Sequence, residues 1–140
     1  MFFKIISAGT SGIEGYIVEV EADMTKGLPG FSLVGLPNAA VKESKERIKS
    51  AVCNSGFRYP NKKIIVNLSP ADIKKEGSHY DLAIALAILR EVENIAEEKF
   101  EDIAFIGELS LDGKLKPIKA CTALILGLLK NSKIKKDIIP

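Results

Sequence analysis

The feature that most constrains the fold is a pair of strongly apolar segments separated by a polar loop. Residues 64–68 are apolar and rich in β-branched side chains, which predicts a buried strand. Residues 82–89 are apolar on nearly every side, which is typical of a helix enclosed by other elements. A buried strand and a buried helix define a core, and the loop between them, residues 69–81, is where we expect function.

Charge is unevenly distributed along a chain of ordinary composition. The 140 residues, 46% of them hydrophobic and 27% charged, are enough for one soluble domain covering residues 1–140. The net charge is only +2, but residues 42–75 carry nine basic against three acidic residues. Residues 91–112 carry eight acidic residues against one lysine. Such blocks predict faces of opposite sign, with an ordinary solvated surface as the alternative.

Neither metal-binding cysteines nor a membrane segment is indicated. Cys53 and Cys121 lack the spacing of a zinc site or of a redox pair, so both are expected as free thiols. Residues 1–4 lead into a short alternating segment, which differs from the long apolar run of a signal peptide. No apolar run is long enough to cross a bilayer. We therefore expect a cytoplasmic protein with no membrane partner.

The N-terminal half is predicted to contain three strands and one helix. Alternation and turn residues indicate strands over residues 4–8, 15–24 and 31–36, for which two consecutive antiparallel connections are the simplest topology. A helix is expected to begin after Asn38, its N-cap, and to stop at Gly56. Its inner face is expected to comprise Val41, Ser44, Ile48, Ala51, Val52 and Ser55.

The C-terminal half is predicted to add a hairpin, a helix and a last strand. Residues 103–111 favour a strand, residues 112–113 a tight turn and residues 114–116 the returning strand. A helix is expected over residues 117–130 and a further strand over residues 134–139. The order of elements predicts a mixed α/β (α+β) domain, and the unclosed last strand suggests an excerpt from a longer chain.

No catalytic, nucleotide-binding or metal-binding motif is complete. The segment from Gly107 to Leu115 approaches a phosphate-binding loop, but its spacing is one residue too long and its final hydroxyl is missing. His79, the single histidine, has Ser78 and Asp81 beside it, whereas a triad draws its members from separate elements. One histidine with scattered carboxylates also lacks the spacing of metal ligands. We therefore predict no catalytic, cofactor-binding or metal-binding residues in this chain.

The loop before the apolar helix is the candidate interaction site. Its members are Asp72, Lys74, Lys75, Glu76 and Gly77. Lysines beside the start of a helix favour an anion, because free helix amides attract negative charge. The alternative is a solvated connector.

The order of short motifs along the chain resembles that of a known family. The pattern is specific because many short motifs recur in a fixed order, and it spans essentially the whole chain. The motifs are Gly27-Leu28-Pro29-x-Phe31-x-x-Val34-Gly35-Leu36-Pro37, Ala40-Val41-Lys42-Glu43-Ser44, Asn54-Ser55-Gly56, Val66-Asn67-Leu68-x-Pro70-Ala71-Asp72, and Lys75-x-Gly77-x-x-x-Asp81-Leu82-x-Ile84-Ala85. The chain resembles the N-terminal domain of the ComM (YifB-like) family of magnesium-chelatase-related AAA+ ATPases.

The resemblance implies a DNA-processing context. Family members continue into an AAA+ module with Walker motifs, are linked to natural transformation, and act on branched DNA as hexameric motors. The resemblance therefore implies a non-catalytic accessory domain whose partners are the AAA+ module of its own chain, DNA and further copies in a hexamer. ATP and magnesium would belong to that module, with no cofactor in this segment. A stand-alone anion-binding or nucleic-acid-binding domain is an alternative.

The family domain is similar to the ribosomal protein S5 domain 2-like fold, which the Lon proteolytic domain shares. This likeness raises a Lon-type serine hydrolase as a further alternative. Lon uses a serine–lysine dyad, and alignment of its serine loop with residues 75–79 places His79 at the nucleophile position. The lysine position falls on Thr122, although a shift of one residue would bring Ser78 or Lys119 into play. As aligned, both members of the dyad are missing, and a dyad without them cannot activate acyl transfer.

Overall fold

A mixed six-stranded sheet and the helices packed on it organise the protein. The structure, a computed structural model, describes residues 2–11, 14–118 and 136–138. The sheet has the order β3-β4-β2-β1-β5-β8, and a separate pair of short strands is formed by β6 and β7. The strands are β1 (Phe2–Ser11), β2 (Glu14–Thr25), β3 (Gly30–Val34), β4 (Lys63–Ser69), β5 (Ile103–Phe105), β6 (Glu108–Leu109), β7 (Leu115–Lys116) and β8 (Lys136–Ile138). The helices are α1 (Ala39–Lys42), α2 (Ser44–Asn54) and α3 (Asp81–Val92), with a short 3₁₀ turn over Glu97–Lys99. The expected mixed α/β class is confirmed.

The first two strands form a long hairpin, but the third does not pair with the second. β1 pairs with β2 in antiparallel orientation along the whole length of β1, from Phe2 opposite Asp23 to Ser11 opposite Glu14. β4 inserts beside β2 in antiparallel orientation and pairs in parallel with β3, which is left at the edge. The expected run of two adjacent antiparallel connections is therefore wrong. β4 occupies the position between β2 and β3 because its alternate side chains are fully buried, whereas most of β3 is more exposed.

The core lies between the sheet and the helices α2 and α3. α3 packs on β1 and β2, and α2 packs on α3. Fully buried members of this core include Ile5, Val18, Val20, Ile48, Ile64, Val66, Leu68, Ile84 and Ile88. Ala8, Ala104 and Ile106 form a second, smaller cluster, to which Ile6, Ile17 and Ile118 add. Because Ile5 and Ile6 point to opposite faces of β1, the two clusters lie on opposite sides of the sheet.

The apolar helix is buried on most of its surface, as predicted, but not on all of it. Ala83, Ile84, Ala87 and Ile88 are completely enclosed. Three leucines at helical spacing are only partly buried: Leu82, Leu86 and Leu89. This stripe borders a small apolar cavity that residues of α2 also line. In the described part of the chain, no helix combines the length and apolarity that crossing a bilayer requires.

The helical segment after β3 follows its predicted start and stop. The side-chain oxygen of Asn38 accepts a hydrogen bond of 3.0 Å from the amide of Val41, which is the geometry of an N-cap. A turn at Glu43 divides the segment into α1 and α2. Gly56 has a φ of 86°, a conformation that ends helices and that suits glycine.

The predicted strand over residues 103–111 is broken in the middle. Gly107 leaves the sheet because its amide donates to the carbonyl of His79 at 2.9 Å and its carbonyl accepts from Leu82 at 3.1 Å. β6 and β7 then form the expected hairpin around Gly113, which has a φ of 93°. The predicted strand at residues 134–139 is observed over residues 136–138, and most of the predicted helix over residues 117–130 lies outside the described residues.

Candidate functional site

The loop between β4 and α3 is bonded through its backbone to the segment between β3 and α1. The amide of Lys75 donates to the carbonyl of Leu36 at 2.9 Å, and the amide of Asn38 donates to the carbonyl of Lys75 at 3.0 Å. These bonds form an isolated parallel bridge between the loop and the segment that leads into α1. The loop is therefore held from its middle as well as from its ends.

Lys75 does not lie on the surface, although the predicted anion site would need both lysines of the loop to be exposed. The residue is completely buried, and its ammonium group donates a hydrogen bond to the carbonyl of Pro70. Burial lowers the pKa of Lys75, and the negative charge of Asp72 opposes that shift. The sequence gives no hint of this burial, because Lys74 and Lys75 are adjacent and chemically identical. The bridge to Leu36 decides which of the two turns inward.

The exposed part of the loop carries more negative than positive charge. Asp72, Lys74 and Glu76 are exposed, and Lys74 and Glu76 approach each other at 3.9 Å. Gly77 has a φ of 95°, and a Cβ there would lie 3.0 Å from Nδ1 of His79. With Lys75 removed from the surface, the loop presents two carboxylates and one ammonium group. An attraction for anions at this loop therefore has no support from its exposed charges.

His79 sits where the alignment with Lon places the nucleophile, and it is held as a structural side chain. It is buried, and its Nε2 lies 2.8 Å from the carbonyl oxygen of Ala8 in β1. Burial lowers the pKa of His79, and the hydrogen bond to Ala8 opposes that shift only in part. A neutral imidazole fixed to the main chain joins the loop to the sheet.

Ser78 borders a small cavity, and the described part of the chain places no activating base beside it. The cavity, of about 250 Å³, is lined by Gly77, Ser78, His79, Glu108, Pro117 and Ile118. Within residues 2–11, 14–118 and 136–138, no basic side chain forms a hydrogen bond with the Ser78 hydroxyl. Thr122, which the alignment places at the lysine position, and Lys119 lie outside the described residues. In the described residues, then, Ser78 lacks the partner that a serine nucleophile requires.

An ion pair with a fully buried carboxylate joins the first turn of α3 to α2. Arg47 Nε lies 2.7 Å from Oδ2 of Asp81, and Arg47 Nη2 lies 3.1 Å from Oδ1. The amide of Leu109 donates a further bond of 3.1 Å to Oδ2. Burial raises the pKa of Asp81, while Arg47 and the Leu109 amide oppose that rise by stabilising the carboxylate. The sequence shows Asp81 beside His79 and within a family motif without indicating its partner, although a lone carboxylate at the start of an apolar helix is itself a signal of a buried partner.

The described residues contain no cluster of histidine, cysteine and carboxylate side chains that could hold a metal ion. The segment from Gly107 to Leu115, which approaches a phosphate-binding loop in sequence, is a β-hairpin. Its glycines serve the hairpin turn and the contact with the start of α3.

Comparisons with known proteins give the family. Residues 20–140 match the family model described as subunit ChlI of Mg-chelatase. The chain is 46% identical to YifB of Escherichia coli over 107 residues, which cover 76% of the chain and 21% of that protein. It is 38% identical to the competence protein ComM of Haemophilus influenzae over 129 residues, which cover 92% of the chain and 25% of that protein. Lon protease of Trichlorobacter lovleyi is 26% identical over 137 residues, 93% of the chain and 16% of that protein.

The chain thus spans about a quarter of the length of YifB and ComM. The similarity to Lon agrees with the expected Lon-like fold. The match over residues 20–140, together with the YifB and ComM relatives, confirms the predicted resemblance. The chain belongs to the family of the Mg-chelatase subunit ChlI, on the branch that its likeness to YifB and ComM defines.

Proposed function

We propose that this chain is a non-catalytic N-terminal domain of a magnesium-chelatase-related AAA+ ATPase that acts on DNA. The observation that carries the proposal is the environment of His79, which is buried and bonded to the main chain at the position of the Lon nucleophile. The similarity to a competence protein supports a DNA context, because competence is the uptake of DNA. ATP and magnesium would be bound by the AAA+ module, and the hexamer would form through that module.

In this proposal the candidate interaction loop binds a protein surface and not an anion. Its exposed residues are Asp72, Lys74 and Glu76, and its backbone is held at both ends and in the middle. A rigid loop of mixed charge suits a contact with another protein surface, since charge complementarity there specifies register. We propose the AAA+ module of the same protein as the partner of this loop.

The test compares wild-type full-length protein with a variant in which Lys74→Glu and Glu76→Lys exchange the two loop charges. Both residues are exposed, so folding should be unchanged while the charge pattern is inverted. We expect the ATPase activity of the wild type to rise on addition of DNA, and the rise to be reduced in the variant. If DNA does not change the ATPase activity of the full-length protein, the DNA context is refuted. If the variant shows the same DNA-dependent rise in ATPase activity as the wild type, the role of the loop is refuted.

A Lon-type hydrolase is the second candidate because Ser78 borders a cavity and Lon proteases are relatives. Treatment with a fluorophosphonate probe separates the two candidates. We expect no labelling above that of a Ser78→Ala variant. Labelling that disappears in Ser78→Ala would establish an activated serine and replace the non-catalytic proposal.

A further inference from the structure

Basic side chains from α2 and from the segment before β4 line a groove that also carries two aromatic rings. The groove runs between α2, the edge strand β3 and the segment before β4. It comprises two adjoining cavities of about 510 and 370 Å³, which share residues 59–62. The edge strand leaves the groove open on one side, because no strand of the described chain pairs with the outer edge of β3.

Two lysines of this groove each lie over an aromatic ring. Lys45 Nζ lies 6.0 Å from the centroid of the Phe31 ring, and Lys49 Nζ lies 5.7 Å from the centroid of the Tyr59 ring. Arg58 is exposed beside Tyr59. We refer to Phe31, Lys45, Lys49, Arg58 and Tyr59 as the aromatic–basic groove.

The charge of the groove is positive once its internal ion pair is considered. Glu91 is matched by Lys62, whose Nζ lies 2.6 Å from Oε1. Glu46 is the other acidic residue that lines the groove, against Lys45, Lys49 and Arg58. This excess of cations contrasts with the candidate loop, whose exposed charges are mostly negative.

The rings are suited to contact with flat, uncharged surfaces. Phe31 and Tyr59 are partly buried, so each ring is positioned by the core and still reaches the groove. Burial, assisted by the nearby Cys53 and the negative charge of Glu46, raises the pKa of Tyr59 to about 12, so its hydroxyl remains neutral. The two lysines rest over the rings on flexible stems and can move aside to meet a phosphate.

We infer that the aromatic–basic groove binds single-stranded nucleic acid, with bases stacked on Phe31 and Tyr59 and phosphates paired with Lys45, Lys49 and Arg58. Stacking platforms beside cationic side chains are the means by which proteins hold unpaired strands. A duplex hides its base faces and would leave both rings unused. The inference rests on the proposed function, because it names the surface through which the domain meets the substrate of the ATPase.

The experiment measures binding of a fluorescein-labelled oligo(dT) to the chain by anisotropy over a salt series, with oligo(rU) in parallel. The aromatic variant is Phe31→Leu with Tyr59→Leu, and we expect it to weaken binding by roughly tenfold or more. A Tyr59→Phe variant keeps the ring and is expected to bind like the wild type. Melting curves of each variant verify that it is folded.

The charge variants test the pairing of lysines with phosphates. Lys45→Gln with Lys49→Gln should weaken binding and reduce the slope of log K against log salt by about 0.7 for each phosphate that is no longer neutralised. Glu46→Gln should strengthen binding, since it removes the unmatched negative charge of the groove. Lys26→Gln with Lys99→Gln changes the net charge equally at exposed positions that do not line the groove, and it should leave binding unchanged.

Three outcomes would overturn the inference: no binding of either oligonucleotide, an equal loss in the Lys26 and Lys99 control, or full binding by the aromatic variant. If any of these outcomes is found while DNA still stimulates the ATPase activity of the full-length protein, the groove is not the binding site and the proposed function is unaffected. If the groove binds the oligonucleotides but DNA does not change the ATPase activity of the full-length protein, only the proposed function is refuted.

Discussion

Arg47 and Asp81, 34 positions apart, form a two-point ion pair in which the carboxylate is completely buried. The pair fixes the start of α3 against α2, and the Leu109 amide adds the hairpin to the same carboxylate. Asp81 therefore ties α2, the start of α3 and the β6–β7 hairpin together just beyond the candidate loop. The loop is positioned by electrostatics at one end and by the sheet at the other.

Removal of the guanidinium should be strongly destabilising. Arg47→Met leaves the buried carboxylate of Asp81 without its cation, and we expect a loss of about 3–5 kcal/mol in the free energy of unfolding. Glu43→Met removes only an exposed partner of Arg47, at 3.6 Å, and should cost less than about 1 kcal/mol. Urea denaturation measures both variants. Similar losses in the two would contradict a buried, energetically dominant pair.

The two adjacent loop lysines should differ sharply. Lys75→Met leaves the Pro70 carbonyl without its donor and should cost about 1–3 kcal/mol, and Lys75→Glu should cost more by burying a carboxylate. Lys74→Glu alters an exposed side chain and should change stability by less than about 1 kcal/mol. Thermal melting of the three variants tests this order. Equal stability of Lys74→Glu and Lys75→Glu would mean that Lys75 is accessible.

The single histidine predicts a specific pH dependence. Because burial lowers the pKa of His79 below 6.5 in the folded state, the unfolded chain binds the proton more tightly. Its contribution to stability is therefore complete above about pH 6.5 and declines as the pH falls toward the folded pKa. His79→Gln can still bond to Ala8 but cannot titrate. The stability difference between wild type and variant should shrink in acid, and a difference that is constant with pH would contradict a buried neutral imidazole.

Gly9 should resist substitution for a reason that a second change can test. A Cβ at this position would lie 2.5 Å from the hydroxyl oxygen of Tyr80 and 2.8 Å from that of Tyr16. We expect Gly9→Ala to cost about 1–3 kcal/mol through overpacking. Tyr80→Phe removes the closest atom and should recover part of that loss in the double variant. Strict additivity of the two changes would exclude the steric explanation.

Much of the fold could be predicted because it depends on local sequence patterns. The alternation of β2, the cap at Asn38, the stop at Gly56 and the hairpin at Gly113 each depend on residues close together in sequence. These features are short-range, since period, capping and positive φ act over a few residues. The family motifs added the fold class, which the match to residues 20–140 supports.

Strand order, by contrast, depended on contacts that no local pattern contains. β4 displaces β3 from β2, and Gly107 interrupts a continuous apolar run to bond with the start of α3. Each outcome follows from burial and backbone hydrogen bonding between segments that are far apart in the chain. The pairing of Arg47 with Asp81 belongs to the same class.

The sequence by itself determined most of the elements, the family and the position of the candidate loop. Only the tertiary structure decided which side chains of that loop meet solvent, because a backbone bridge to Leu36 turns Lys75 inward and leaves Lys74 outside. It also brought Phe31 beside Lys45 and Tyr59 beside Lys49. Charge and residue type are properties of the sequence, whereas exposure and neighbourhood arise when distant segments exclude water from the same space.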